Sequence, residues 1–438
     1  MNMVIFGLGR IGLPIALVCA ESGYQVTGID VNKELIAALH NGELAFDEPG
    51  MKPLLKKHIH KGFNPKHQED NIDEDIKQAS YIMLAVGTGF AKYPEKPKLS
   101  TLYSIIGQLI AIGIKGKTII LRVTLPIGTT DDIVSMIEKK TGLKEGTDFW
   151  FGFVPERIME GKAITEERSL PKIIGCYHDQ GFEKIGGFFK KIGGDLVRVS
   201  NPRTAEFIKL IDNSWRNTRF AFANELAYLA DAQGVDVMEA IASANQGYER
   251  NQIPRPGPVS GYCLGKDPYL LELGFDAVAK QRGFGSTFFY GRQANDWLQD
   301  FILEKITGKH VLIAGLSFKE NIDDYRYSHS IDLLRKLVKK KYIVGVCDPF
   351  LDKNTYTRLP EDLQGKVSTY TRLDNALKEP VDTILICTRH DEFTSVDLTK
   401  ASPKQKQVTI LDLWNIYPKL ATKAPSHINY QGFGRPVK

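Results

Sequence analysis

Met3-Val4-Ile5-Phe6-Gly7-Leu8-Gly9-Arg10-Ile11-Gly12 is the stretch that decides the fold. Its four apolar residues predict a short buried strand, and Pro14 with the apolar run 15–20 opens a helix directly after the glycines. A second strand over 24–29 ends at Asp30. Strand, glycine-rich turn, helix and a strand ending in an acid form the dinucleotide fingerprint in its required setting. Gly7 makes the turn, Gly9 lets a pyrophosphate approach, and Gly12, just past Ile11, lets helix and strand pack. The helix N-terminus meets the phosphate charge, and the Asp30 carboxylate suits the ribose hydroxyls of NAD. Lys33 nearby is the feature that would instead suit NADP.

Composition bounds what the rest can be. At 438 residues the chain is too long for one core, so two or three domains are expected, and we place their boundaries at 1–198, 199–304 and 305–438. The excess of 57 basic over 52 acidic residues suits an anionic small ligand. No basic run is interleaved with aromatics, which argues against nucleic acid. Cys19, Cys176, Cys263, Cys347 and Cys387 are odd in number and scattered, with neither metal-ligand spacing nor a disulfide framework. A reducing cytoplasm is therefore expected, with no metal. No apolar run approaches membrane-spanning length, so a soluble protein without a membrane partner is expected.

Further strands are predicted at 81–86, 118–122 and 150–154, with a helix at 102–112. The loops after the first two carry Thr88 and Thr124 and should face the cofactor, since ligands sit beyond the carboxyl ends of such strands. The third strand exits into Pro155-Glu156-Arg157-Ile158-Met159-Glu160, whose two acids face either one cleft or solvent. Residues 203–233 contain no proline or glycine and predict a helix of roughly eight turns. Phe207, Leu210, Ile211, Ser214, Phe222, Leu226 and Leu229 recur at helical spacing, which reads as a central buried helix. Lys209 and Asn213 share one of its faces and are costly to bury unless they serve something; ordinary exposure is the alternative.

After a helix at 237–245 comes Val259-Ser260-Gly261-Tyr262-Cys263-Leu264-Gly265-Lys266-Asp267-Pro268. Glycines let backbone approach a ligand, a cation helps hold a thiol as thiolate, and a carboxylate positions a substrate or water. The bland reading of Cys263 is a small buried hydrophobe. A helix at 284–303 and a second strand-turn-helix unit from 309 follow. Strands at 342–346, 383–387 and 408–413 complete a second α/β domain, without the full glycine fingerprint.

The Rossmann start, Lys209 and Asn213 on a long helix, Cys263 with Lys266-Asp267, and Gly315-Leu316-Ser317-Phe318-Lys319 with Asp323-Asp324-Tyr325-Arg326 together resemble the UDP-glucose/GDP-mannose dehydrogenase family. The resemblance implies an α/β protein of two Rossmann-like doubly wound domains joined by a central long helix, dimeric through that helix, with a C-terminal domain for a UDP-sugar. It implies a two-step, four-electron oxidation of the sugar C6 hydroxyl to a uronate with two NAD, through a thiohemiacetal and a thioester on Cys263. Lys209 and Asn213 match the pair stabilising the oxyanion, and Asp267 the acid that works with Lys209 on a water. Glu156 matches a glutamate of the same chemistry, and Glu160 one near the nicotinamide. Thr88, Thr124 and Arg326 match cofactor positions. Lys319 matches a nucleotide-sugar contact, Gly261 belongs to the loop lining the sugar pocket, and Arg250 resembles the arginine that reaches a neighbouring subunit's site.

The cysteine loop is a residue shorter and poorer in glycine than the family pattern, and that loop lines the sugar pocket. Pro155-Glu156-Arg157 and Asp267-Pro268-Tyr269 resemble the N-acetylhexosamine branch (UDP-GlcNAc or UDP-ManNAc), whereas Lys266 resembles the UDP-glucose branch. GDP-mannose, a single-step hydroxyacid-type dehydrogenase and a non-catalytic nucleotide-sugar sensor are the rivals. The second would not need Cys263, and the third would produce no NADH.

Overall fold

The computed structural model describes residues 1–89, 97–354, 357–404 and 406–436. They form two compact units, Met1–Asp212 with Leu273–Ala277, and Asn213–Glu272 with Val278–Lys438.

The first unit is built on an eight-stranded sheet. Its strands are β1 (Asn2–Phe6), β2 (Gln25–Asp30), β3 (Phe63–His67), β4 (Tyr81–Leu84), β5 (Thr118–Leu121), β6 (Trp150–Phe153), β7 (Lys172–Cys176) and β8 (Leu196–Val199). They lie in the order β3-β2-β1-β4-β5-β6-β7-β8, with only the β6–β7 pairing antiparallel. Strands covered by helices on both faces must be apolar throughout, and β4, β5 and β6 are buried almost end to end. The core gathers Val4, Phe6, Ile82, Leu84, Ile119 and Phe151.

The second unit carries β9 (His310–Ala314), β10 (Ile343–Cys347), β11 (Ser368–Tyr370), β12 (Thr383–Ile386), β13 (Val408–Asp412) and β14 (Ile428–Gly432). All its pairings are parallel, in the order β11-β10-β9-β12-β13-β14. Three strands one way and three the other is the doubly wound order, repeated from the first unit's first six strands. The α/β reading with two Rossmann-like sheets and a long helix holds.

That helix runs continuously over Pro202–Gln233, 32 residues. Its reading as a central buried helix is corrected in part. Leu210, Ala223 and Ala227 are in the core, but Phe207, Ile211, Trp215, Phe222 and Leu229 are exposed, from 37% at Ile211 to 62% at Trp215. Polar Asn217 and Asn224 are instead buried, because they bond each other's neighbourhood through Asn295 and through Gly257. Helical spacing reports a stripe; it does not report which stripe the chain covers.

The helix Asp267–Arg282 was not anticipated from the sequence. Pro268 is no obstacle to it, since proline is well placed in a first helical turn, where its missing N–H costs nothing. Edge strand β3, which contains Pro65, was not anticipated either.

Candidate active site

In the first unit the glycine turn is shaped by steric necessity. Gly7 has φ +91°, donates its N–H to Ile29 O at 2.8 Å, and has no room for a Cβ, which would lie 2.8 Å from Ala85 O. A Cβ on Gly12 would fall 1.8 Å from Gly7 O, so only glycine lets the helix Gly12–Glu21 start there. Gly9 differs: nothing lies within 4 Å of its Cβ position, and its backbone borders open space. Half-buried Asp30 ends β2, its Oδ2 accepting Leu8 N–H at 2.7 Å and its Oδ1 accepting Asn32 N–H at 2.9 Å. A tight turn, an open backbone face and an acid at the neighbouring strand end fit a pyrophosphate and ribose. Ile11 precedes the helix as its cap residue.

Lys33 is exposed and paired with Glu69 at 2.8 Å, so a carboxylate already claims its ammonium. Thr88 is buried after β4 and Thr124 half-buried after β5. Glu160 lies 3.7 Å from the guanidinium of buried Arg10. Glu156 instead meets Lys209: the Lys209 ammonium donates to Glu156 O and lies 3.5 Å from its carboxylate, which also accepts Ile158 N–H. The two acids after β6 thus turn to different partners. Lys209 is buried, so its pairing with Glu156 offsets a desolvation cost.

In the second unit the cysteine loop sits at the start of the helix Asp267–Arg282, and Cys263 O accepts the N–H groups of Lys266 and Asp267 at 3.2 and 2.9 Å. Cys263 is exposed, whereas the other four thiols are buried. Burial pushes the Cys347 and Cys387 thiols up to about 12 and raises Cys19 and Cys176 as well. Asp267 is fully buried; its Oδ1 accepts Lys266 Nζ at 2.7 Å and its Oδ2 accepts Asn213 Nδ2 at 2.6 Å. One of the three ammonium donors of Lys266 thus goes to Asp267. Burial works against its ammonium, but the charges of Asp267, Tyr262 and Cys263 outweigh it and leave the group above its ordinary value.

Gly261 adopts φ +89° and donates its N–H to Tyr327 O at 2.9 Å. Lys319 is half-buried on the loop after β9. Arg326 is exposed and forked onto buried Asp324, Nη2 to Oδ2 at 2.6 Å. Arg250 is exposed, its guanidinium 4.6 Å from the Tyr248 ring centroid.

Sequence reading missed Arg292 and Glu48. Buried Arg292 donates to Val259 O at 3.0 Å and Leu264 O at 3.2 Å, holding both ends of the cysteine loop. Glu48 accepts Gly161 N–H at 2.9 Å and Ala163 N–H at 2.8 Å, tethering the segment beyond Glu160. Neither lies in a motif. Arg292 lies on the helix Thr287–Lys305, whose mixed polar and apolar sequence gives no sign that this arginine is buried.

Three family models of the UDP-glucose/GDP-mannose dehydrogenase family match the chain: its NAD binding domain over residues 1–192, its central domain over 203–284 and its UDP binding domain over 312–419. The chain belongs to that family. This family member is an NAD-dependent nucleotide-sugar dehydrogenase, an oxidoreductase. It is 30% identical to the UDP-N-acetyl-D-mannosamine dehydrogenase of Pyrococcus horikoshii over 445 residues, with 99% of each chain covered. The enzyme of that name from Campylobacter jejuni is 30% identical over 417 residues, covering 91% of this chain and 98% of its own. The solved structure of the Pyrococcus horikoshii UDP-D-ManNAc dehydrogenase overlays with a TM-score of 0.85 at 30% identity, 99% of each chain covered. Among the described residues, no helix is long and apolar enough to cross a membrane.

Proposed function

We propose that this dehydrogenase oxidises the C6 hydroxyl of a UDP-N-acetylhexosamine, UDP-ManNAc foremost, to the carboxylate in two NAD-linked steps that depend on Cys263. The observation that carries the reading is the contrast among thiols: Cys263 alone of the five is exposed, on a loop held at both ends by Arg292. The sugar is supported by the similarity to the Pyrococcus and Campylobacter UDP-N-acetyl-D-mannosamine dehydrogenases and by Pro155-Glu156-Arg157 and Asp267-Pro268-Tyr269.

Gly7, Gly9, Gly12 and Asp30 would hold the dinucleotide, with Ile11, Thr88, Thr124 and Glu160 of the same unit; Arg326 is a cofactor residue by family resemblance alone. When bound, NAD supplies the hydride acceptor for both oxidations. An aldehyde cannot give up hydride until a nucleophile makes its carbon tetrahedral, and this is the work of the Cys263 thiolate. Its sulfur forms a bond to the aldehyde carbon, and the carbonyl electron pair moves onto oxygen. Asn213, steadied by Asp267, and Lys209, one helical turn away on the same helix, supply donors for that oxyanion. Loss of hydride restores the carbonyl as a thioester, and water then breaks the carbon–sulfur bond and returns the thiol. Each Asp267 oxygen accepts one donor and keeps a lone pair for that water. Lys319, Gly261 and a partner subunit's copy of Arg250 are the assigned substrate contacts.

The exposed apolar stripe from Phe207 to Leu229 supports a homodimer through the long helix. Five free thiols support a reducing cytoplasm. The test is NADH formed per sugar consumed, run with UDP-ManNAc, UDP-GlcNAc, UDP-glucose, UDP-galactose and GDP-mannose. Two NADH per sugar, with an N-acetylhexosamine preferred, is expected. One NADH per sugar would make Cys263 a bystander, and preference for UDP-glucose would overturn the sugar assignment.

A further inference from the structure

Within the second unit, the loop bearing Cys263 is built against the loop bearing Lys319. At φ +89° the Gly261 Cα presents its bare face to the Phe318 ring: a Cβ there would lie 2.6 Å from Cδ2 and 3.0 Å from Cγ. The Gly261 N–H bond to Tyr327 O and the packing of Tyr262 on Tyr327, ring centroids 5.3 Å apart, seal the same seam. The loop carrying Phe318 has a firm footing on its other side. Ser317 Oγ donates to Ile322 O at 2.7 Å, Thr388 Oγ1 donates to Ser317 O at 2.7 Å, and Asn321 N–H donates to His390 Nδ1 at 3.1 Å. His390 Nε2 in turn donates to buried Asp348 at 3.1 Å. A ring on such a base cannot give way cheaply.

We propose that Phe318 is a positioning residue for Cys263. Its ring sets the Gly261 turn and so aims the thiol two residues further on, which lets the loop that presents Lys319 to the nucleotide also align the nucleophile. The inference rests on the reading that Cys263 acts in the second oxidation. It carries a consequence that a general structural role lacks: the second oxidation suffers while the first is spared.

The experiment uses the full-length enzyme with UDP-ManNAc and NAD, comparing Phe318→Ala, Phe318→Leu and Gly261→Ala with the parent. NADH per sugar, released aldehyde, and the rate of Cys263 alkylation by iodoacetamide are measured. Phe318→Ala should slow the second oxidation about tenfold or more while the first stays within about twofold. NADH per sugar then falls from two toward one, aldehyde escapes, and the alkylation rate shifts. Phe318→Leu should recover part of the second step, and Gly261→Ala should reproduce the defect from the opposite side of the seam. Parental stoichiometry with parental alkylation in Phe318→Ala would overturn the proposal, as would equal slowing of both steps. Two NADH per sugar from Cys263→Ser would instead remove the underlying reading, a result readily told apart.

Discussion

Gly7 and Gly315 open equivalent turns, one in each doubly wound sheet, yet the acids beyond them meet opposite fates. The turns are near copies: φ is +91° and +95°, and each glycine N–H donates at 2.8 Å to the carbonyl beside it, Ile29 O or Cys347 O. Asp30 and Asp348 both accept the next amide, Leu8 or Leu316, at 2.7 Å. There the likeness stops. Asp30 stays half-buried beside the open face of Gly9, whereas Ser317 and Glu320 stand where the first turn has Gly9 and Gly12. Asp348 is fully buried under Ser317 N–H and His390. Burial alone would raise its carboxyl, but His390 and the amides outweigh that and hold it below the usual range. One topology thus yields a crevice whose acid lies beside open backbone and another whose acid builds the loop carrying Phe318 and Lys319.

The sharpest way to break this comparison is to delete each acid. Asp348→Ala strands His390 and two amides in the interior and should cost about 3–5 kcal/mol of stability in urea unfolding, with NAD affinity nearly unchanged. Asp30→Ala should do the reverse, costing about 1–2 kcal/mol of NAD binding by fluorescence titration, roughly tenfold, with a smaller stability loss. Equal effects in both assays for both variants would erase the distinction.

A smaller effect sharpens it through pH. His329 begins the helix His329–Lys339 of the second unit, buried, with both ring nitrogens lacking a hydrogen-bond partner among the described residues. Burial, then the charges of Arg292 and Lys336, press its imidazole down to about 3. Below the ordinary value of about 6.5 the unfolded chain takes up a proton that the folded chain refuses, so stability falls as pH falls, at most about 1.4 kcal/mol per unit from this group. His329→Leu should flatten that slope in denaturation series between about pH 6 and 4. An unchanged slope would show that His329 is not the group responsible.

Local chemistry made the first crevice legible, because Gly7, Gly9, Gly12 and Asp30 lie within one strand-turn-helix-strand unit. Cys263 and Asp267 were legible as a motif, and Lys209 and Asn213 as misfits on an apolar helix. What escaped was long-range. Whether Phe207 and Trp215 face the core depends on partners far along the chain, and Asn224 is buried only because Asn295 and Gly257 satisfy it. Arg292 holds the cysteine loop across a sequence distance that no local pattern encodes.

The most direct test of the account is uronate production by Cys263→Ser in a single turnover with UDP-ManNAc and excess NAD. A hydroxyl is a far weaker nucleophile than a thiolate at neutral pH and a poorer leaving group from the acyl stage. The variant should fold, bind NAD and stop short of the uronate. Full uronate formation at the parent's rate would contradict the covalent thiol mechanism.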